Sequence, residues 1–251
     1  MSEKLIKKWW EETSKHYQKE AKINTHSAHY GPYAPDENEL RLLGNLRGKR
    51  ILELGCGGGQ CSIAFAKKGA KVTGIDISEK QLEYAKELAK KNKVNVKFIR
   101  KSFQNLKGLK KRNYDIVFSA YAFQYSPNFK KILKQIYKLL KKRGLLVFSF
   151  DHPFYSLINR KNYKIKKRYN DFKWVEKETW PDGSKHTFIA YYRTISTIFN
   201  LLIDSGFSVE KILEPLKLKN QTAWTQGVWK DIYPKKLVKL IAPTLIFLAR
   251  K

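Results

Sequence analysis

The chain has 251 residues, 42% of them hydrophobic and 14% aromatic, which is enough apolar surface for one packed α/β domain and too much for a disordered, charge-dominated chain. Its two cysteines, Cys56 and Cys61, are too few for a disulfide framework or a structural zinc site and fit a reducing cytoplasm, and neither terminus has an apolar stretch long enough to span a membrane. The net charge of +29 lies outside the N-terminal segment: residues 1–48 carry 8 basic and 7 acidic side chains, residues 49–251 carry 43 and 15. Such a field attracts RNA, anionic lipid or acidic small molecules without choosing among them, and lysines spread over solvated helix faces account for much of it.

In chain order, Leu5, Ile6, Trp9 and Trp10 predict a short amphipathic helix within an N-terminal cover. From Lys49 onward, short apolar runs alternate with longer amphipathic ones, the signature of βαβ units. Residues 51–54 read as the first strand, followed by a helix over 60–68 that Gly69 closes. Residues 71–75 form the second strand. Ser78 and Gln81 have capping-box spacing, and Leu82, Ala85, Leu88 and Ala89 repeat at helical intervals, predicting a helix over 79–91. Strands over 94–99 and 115–119 precede a helix over 128–140, which Arg143–Gly144 should end, and a fifth strand over 145–150. A helix over 194–205 and strands near 207–213 and 244–249 complete the pattern. The expectation is a single domain with a Rossmann-like, seven-stranded, mostly parallel sheet carrying helices on both faces. Residues 1–48 would form its cap, 49–151 the nucleotide-binding core, 152–192 an inserted lid, and 193–251 the C-terminal helix and last strands.

The sharpest local signal is Ile51-Leu52-Glu53-Leu54-Gly55-Cys56-Gly57-Gly58-Gly59-Gln60, a buried strand running into a glycine turn before a helix. Glycines there let the backbone approach a ligand, at the N-terminus of a helix and the carboxyl end of a sheet. Asp76, about twenty residues on, ends the second strand where a carboxylate can accept both hydroxyl protons of a ribose. The dinucleotide fingerprint has similar spacing, but Gln60 stands where its third glycine would be. Glu53, two residues before the loop, suits a ligand with an ammonium group better than a pyrophosphate. S-adenosylmethionine carries both an ammonium and a sulfonium.

Over residues 40–155 the chain resembles the class I S-adenosylmethionine-dependent methyltransferases, nearest to those acting on small molecules. Residues 53–59 resemble their first motif, 73–78 (Thr-Gly-Ile-Asp-Ile-Ser) the second and 114–119 (Tyr-Asp-Ile-Val-Phe-Ser) the fourth. The resemblance implies that Gly55, Cys56 and Gly57 approach the methionine part of the cofactor. It likewise implies that Asp76 holds the ribose, that Ile77 packs on adenine, and that Ser119 and Ala120 line the sulfonium side. Two positions depart from the family pattern. Ser102, followed by Phe103, stands where many relatives have an adenine-contacting aspartate, and Lys142-Arg143-Gly144 replaces a Pro-Gly-Gly turn.

Methyl transfer from a sulfonium is an in-line displacement, so the protein must chiefly align the acceptor, and it needs a base only where the acceptor must lose a proton. His152, just beyond the fifth strand with Asp151 beside it, is the candidate base; the alternative is a loop histidine fixed by hydrogen bonds. Tyr30, with Gly31 and Tyr33, resembles a segment that closes over the cofactor, against the alternative of a tyrosine-rich surface turn. Residues 120–125, Ala-Tyr-Ala-Phe-Gln-Tyr, can supply aromatic walls that favour a sulfonium by about 0.5–2 kcal/mol, or pack the core. No group of Asp, Glu and His has metal-ligand spacing, and the expected metal content is none.

These readings point to methyl transfer onto a small-molecule acceptor held under aromatic covers. The alternative is an RNA methyltransferase, with residues 160–168 supplying phosphate contacts and Tyr163 and Tyr169 stacking on bases, although no Asn-Pro-Pro-Tyr motif is present. A third reading is a non-catalytic protein of the same fold that binds partners or an anionic membrane through its basic face.

Overall fold

The computed structural model describes residues 2–179, 183–218 and 229–251. Helix α1 (Ser2–Ala21) and the short α2 (Glu37–Leu40) precede β1 (Arg50–Leu54), α3 (Gln60–Lys67), β2 (Lys71–Asp76), α4 (Glu79–Lys91) and β3 (Lys97–Arg100). Next come β4 (Tyr114–Ala120), α5 (Phe129–Leu139), β5 (Leu140–Asp151), α6 (Pro153–Leu157), β6 (Lys173–Thr179) and β7 (Lys185–Tyr191). The chain ends with α7 (Ile195–Asp204), β8 (Ser208–Leu213), α8 (Trp229–Ile232), α9 (Lys235–Val238) and β9 (Thr244–Arg250).

Seven strands form one sheet in the order β3-β2-β1-β4-β5-β9-β8. The first five run parallel, and β9 is antiparallel to both its neighbours. The expected seven-stranded Rossmann-like sheet is therefore present. The two faces follow from strand alternation: Ile51, Val72, Phe118 and Val147 join one buried cluster, while Leu52, Ile75, Val117 and Phe148 join the other, against α5 and α7. Capping fixes α4 as its sequence predicts, since Ser78 Oγ accepts from Gln81 N at 3.2 Å. Strand order reverses between β1 and β4, which opens a crevice at their carboxyl ends.

Three stretches differ from expectation. Helix α5 stops at Leu139, and β5 begins at once with Leu140 rather than at 145. A register irregularity opposite Tyr114 and Ile116 absorbs the turn at Arg143 (φ +61°) and Gly144, whose added Cβ would lie 2.9 Å from the Lys141 carbonyl oxygen. The N-terminal helix has 20 residues, because much of its buried face is polar, Thr13, Ser14 and Gln18 extending it past the apolar stripe. The 152–192 segment is not simply an irregular cover. It contains α6 and the antiparallel hairpin β6–β7, which stands apart from the main sheet. Among the described residues no helix is long and apolar enough to cross a membrane.

Candidate functional site

The glycine loop is held in shape by the end of β2. Gly55 N and Cys56 N both donate to Ile75 O, at 2.9 and 3.0 Å, while Gly57 N donates to Asp76 Oδ2 at 2.8 Å. Asp76 Oδ1 also accepts from Ser78 N at 2.9 Å, so one carboxylate braces both the loop and the start of α4. Burial pushes the Asp76 carboxyl up to about 6, with these N–H groups pulling the other way. Gly55 sits at φ +68°, where an added Cβ would lie 2.4 Å from Ala122 Cβ. The close packing of loop onto sheet, expected of a glycine at position 60, is supplied by Gly59. It starts α3 in a left-handed conformation, and its added Cβ would meet Phe98 and Ala85 within 3 Å.

A buried polar chain closes the loop from above. Gln60 Nε2 donates to Gln18 Oε1 at 2.6 Å and Gln18 Nε2 to Gln81 Oε1 at 2.7 Å, which lays α1 over Gly58. Glu11 of α1 also accepts from Glu79 N and Lys80 N at the head of α4. Gln81 Nε2 is buried without a hydrogen-bond partner, an orphaned donor facing the enclosed space. Glu53 accepts from Ser62 Oγ, and burial pushes its carboxyl up to about 8 against that bond.

These groups line a cavity of ≈540 Å³ between the strand ends and the covers α1 and β6–β7. It brings together Glu53, Gly55, Cys56, Gly57, Asp76, Ile77, Phe103 and Ala120 of the residues singled out in the sequence. Four others do not line it. Ser102 Oγ donates to Glu3 of α1 at 2.9 Å, and Ser119 Oγ donates to Leu54 O at 2.8 Å, so each is a strut of the fold. Tyr30 is fully buried with its hydroxyl donating to Glu37 Oε2. The glycine beside it is required by packing, since an added Cβ at Gly31 would lie 2.0 Å from the Tyr121 ring.

His152 is the main correction. Its Nδ1 accepts from Phe154 N at 3.2 Å, capping α6, which leaves the proton on Nε2 to meet Glu214 Oε1 at 2.9 Å. Both ring nitrogens are engaged away from the cavity, so the position serves the loop-histidine alternative. His152→Ala is expected to lose about 1 kcal/mol of stability through the cap, with turnover within a few fold of the native protein. A turnover loss beyond a hundredfold at unchanged melting temperature would restore a catalytic role.

Sequence reasoning missed most of the far wall: Tyr17 and Gln18 of α1, Arg160, Trp174, Tyr192, Trp229 and Tyr233 join Asp151, which it named only as the neighbour of His152. Only Asp151 had a readable signal. Counting by twos from Val147 through Ser149 carries it to the same side of β5, whereas His152 already begins the next turn.

S-adenosylmethionine fits the loop side of this donor set. Asp76 is a buried acceptor for a diol, Glu53 a buried carboxylate for an ammonium, Gln81 Nε2 an unused donor, and Ile77 and Phe103 offer apolar surface to a base. When bound, the cofactor supplies an electrophilic methyl group. The methyltransferase domain family matches residues 45–190, more than half of the chain. The protein belongs to the class I S-adenosylmethionine-dependent methyltransferases.

An uncharacterized protein of Haemophilus influenzae is 34% identical to this methyltransferase over 225 residues, 84% of this chain and 85% of that one. The ubiquinone biosynthesis O-methyltransferase of Coxiella burnetii is 36% identical over 121 residues, about half of either chain at 47%. Among solved structures, a protein of Listeria monocytogenes assigned as an S-adenosylmethionine-dependent methyltransferase matches with a TM-score of 0.66 at 26% identity, over 86% of this chain and 95% of that one.

The buried Glu53 gives the ligand-free methyltransferase a signature in its pH dependence. With its carboxyl raised to about 8 in the fold, the native state keeps a proton that the unfolded chain releases near its ordinary value. Stability therefore falls as pH rises, by up to about 1.4 kcal/mol per unit. Asp76 and Asp151, raised to about 6, share that slope at lower pH, so the fall between about pH 6 and 8 belongs to Glu53. Glu53→Gln is expected to flatten the melting temperature over that window, and an unchanged slope would contradict the assignment.

Proposed function

We propose that this methyltransferase transfers the methyl group to a small-molecule acceptor enclosed beside the cofactor. The observation that carries this reading is the aromatic cover over the cavity. Trp9 packs edge-on to Phe188 at 5.4 Å, Trp10 to Tyr125 at 5.7 Å and Tyr125 to Phe188 at 5.8 Å, joining α1, the hairpin and the turn after β4 into one aromatic seam. A partly covered chamber of this size, shared with the cofactor, suits a small-molecule acceptor. In this reading Gly55, Cys56 and Gly57 meet the methionine part, Glu53 its ammonium, Asp76 the ribose, Ile77 and Phe103 the adenine, and Ala120 the sulfonium side. The name of the Coxiella relative, a ubiquinone biosynthesis O-methyltransferase, supports a small-molecule acceptor.

The basic run 160–168 supports the RNA alternative less well than its composition suggests. Lys166 and Lys167 lie over the Trp174 ring at 4.0 and 3.6 Å, Lys236 lies over Tyr163 at 5.2 Å, and Tyr169 packs on Phe154 at 5.1 Å. Lys166, Lys167, Tyr163 and Tyr169 are thus partly engaged within the protein, while Lys161, Lys164 and Arg168 stay exposed. The test is transfer of a radiolabelled methyl group from S-adenosylmethionine in parallel into a low-molecular-weight metabolite extract and into total tRNA. Label confined to the small-molecule fraction is expected; label in tRNA alone would reverse the reading.

A further inference from the structure

The wall facing the glycine loop carries opposite charges, on Asp151 and Arg160, that the proposed cofactor contacts do not use. Asp151 ends β5 beside Thr244 of β9, and Tyr233 Oη donates to its Oδ1 at 3.4 Å. Arg160, in the turn after α6, turns inward from the basic run, its guanidinium 6.0 Å from the Tyr155 ring centroid. Its Nε is buried without a hydrogen-bond partner, although it lines the cavity. Arg160 as a whole is half-buried and its side chain also meets Tyr155, but a buried N–H without a partner is costly unless a ligand atom meets it.

Among Asp151, the tyrosines that face it and His29, Asp151 is the proton acceptor; Glu176 is a second carboxylate in the cavity wall. Tyr121, Tyr155, Tyr192 and Tyr233 face it from four separate segments, and burial pushes all four hydroxyls far above their usual range. His29, also in the cavity wall, is lowered to about 4 by burial and holds a proton poorly. Burial raises Asp151 to about 6, with the Arg160 charge and the Tyr233 bond pulling it down, so it is ionised yet basic near neutrality.

The pairing also selects the kind of acceptor. An amine acceptor would have to present its ammonium beside Arg160, which like-charge repulsion opposes. A hydroxyl acceptor gains twice, losing its proton to the carboxylate and leaving an oxyanion for the guanidinium. Trp174 and Tyr192, with ring centroids 5.1 Å apart, give a flat molecule an aromatic wall.

Building on the small-molecule reading, we propose that the acceptor is a phenol whose hydroxyl gives its proton to Asp151 while Arg160 holds the oxygen as it becomes anionic. The oxygen lone pair forms the new bond to the methyl carbon. The methyl–sulfur bond breaks with its pair remaining on sulfur, and Asp151 passes the proton to water as the ether product leaves.

The test uses 4-nitrophenol, whose phenolate absorbs visible light while the neutral form does not, titrated into protein saturated with S-adenosylhomocysteine. Saturable binding is expected, with the ionisation equilibrium of the bound probe shifted about tenfold toward phenolate at fixed pH. Arg160→Gln should abolish the shift and Arg160→Lys should keep part of it. Asp151→Asn should raise the phenolate fraction further by removing a competing negative charge, while abolishing methyl transfer to phenols. A native protein that leaves the probe unbound or neutral, an Arg160→Gln spectrum equal to the native one, or displacement of the probe by benzylamine overturns the proposal. Calorimetry of S-adenosylhomocysteine binding is read separately, so failure of the cofactor site is distinguishable from failure at the acceptor wall.

Discussion

Asp76→Ala is expected to abolish measurable S-adenosylmethionine binding by calorimetry, a loss of at least a hundredfold in affinity. In the proposed cofactor contacts, two charge-assisted hydrogen bonds to a ribose, each worth about 1.5–3 kcal/mol, would disappear with the carboxylate. The same change strips the acceptor from Gly57 N and Ser78 N, so the glycine loop loses its brace as well as its ligand contact. Asp76→Asn separates the two effects. Its amide oxygen can still accept from one backbone N–H, so the variant should fold with a melting temperature near the native one yet bind the cofactor at least tenfold more weakly. Native-like affinity in Asp76→Asn would mean that the carboxylate serves the loop and not the cofactor.

Gly55→Ala is expected to destabilise the protein by about 2–5 kcal/mol, combining left-handed backbone strain with overpacking. The added methyl would fall 2.4 Å from Ala122 Cβ, and the segment it strikes has little room to retreat. Tyr121 is itself at positive φ, with its hydroxyl on Pro243 O at 3.0 Å and Thr244 Oγ1 at 2.7 Å. Relief must come from Ala122. In chemical denaturation, Gly55→Ala combined with Ala122→Gly should recover much of the loss, and strict additivity of the two changes would show that the strain lies elsewhere.

The half of the site built on β1 and β2 was legible in the sequence because its chemistry is local. A buried strand, a glycine turn and an acid twenty residues on are fixed by the chain's own short-range geometry, and the structure places Glu53, Gly55, Gly57 and Asp76 around one cavity. The facing half of the cavity was not legible. Its wall is assembled from residues as distant as Tyr17, Asp151, Trp174 and Tyr233, which share no periodicity. Helix α1 was read too short because Thr13, Ser14 and Gln18 are buried by hydrogen bonding, which leaves no trace in an apolar pattern. The hairpin β6–β7 escaped for a related reason. In Lys173–Thr179 Trp174 is buried while Val175 is exposed, so no two-residue alternation of apolar side chains marks it as a strand.

The polar seat of α1 also sets how the chamber breathes. Hydrogen bonds such as Gln18 to Gln60 and Gln81, or Glu11 to the head of α4, can be exchanged for bonds to water at a net cost near 1 kcal/mol each. The strands beneath bury aliphatic and aromatic side chains that water cannot replace. Beyond its aromatic seam, the 20-residue roof is held largely by exchangeable bonds, and hydrogen exchange is expected to reach it before the sheet.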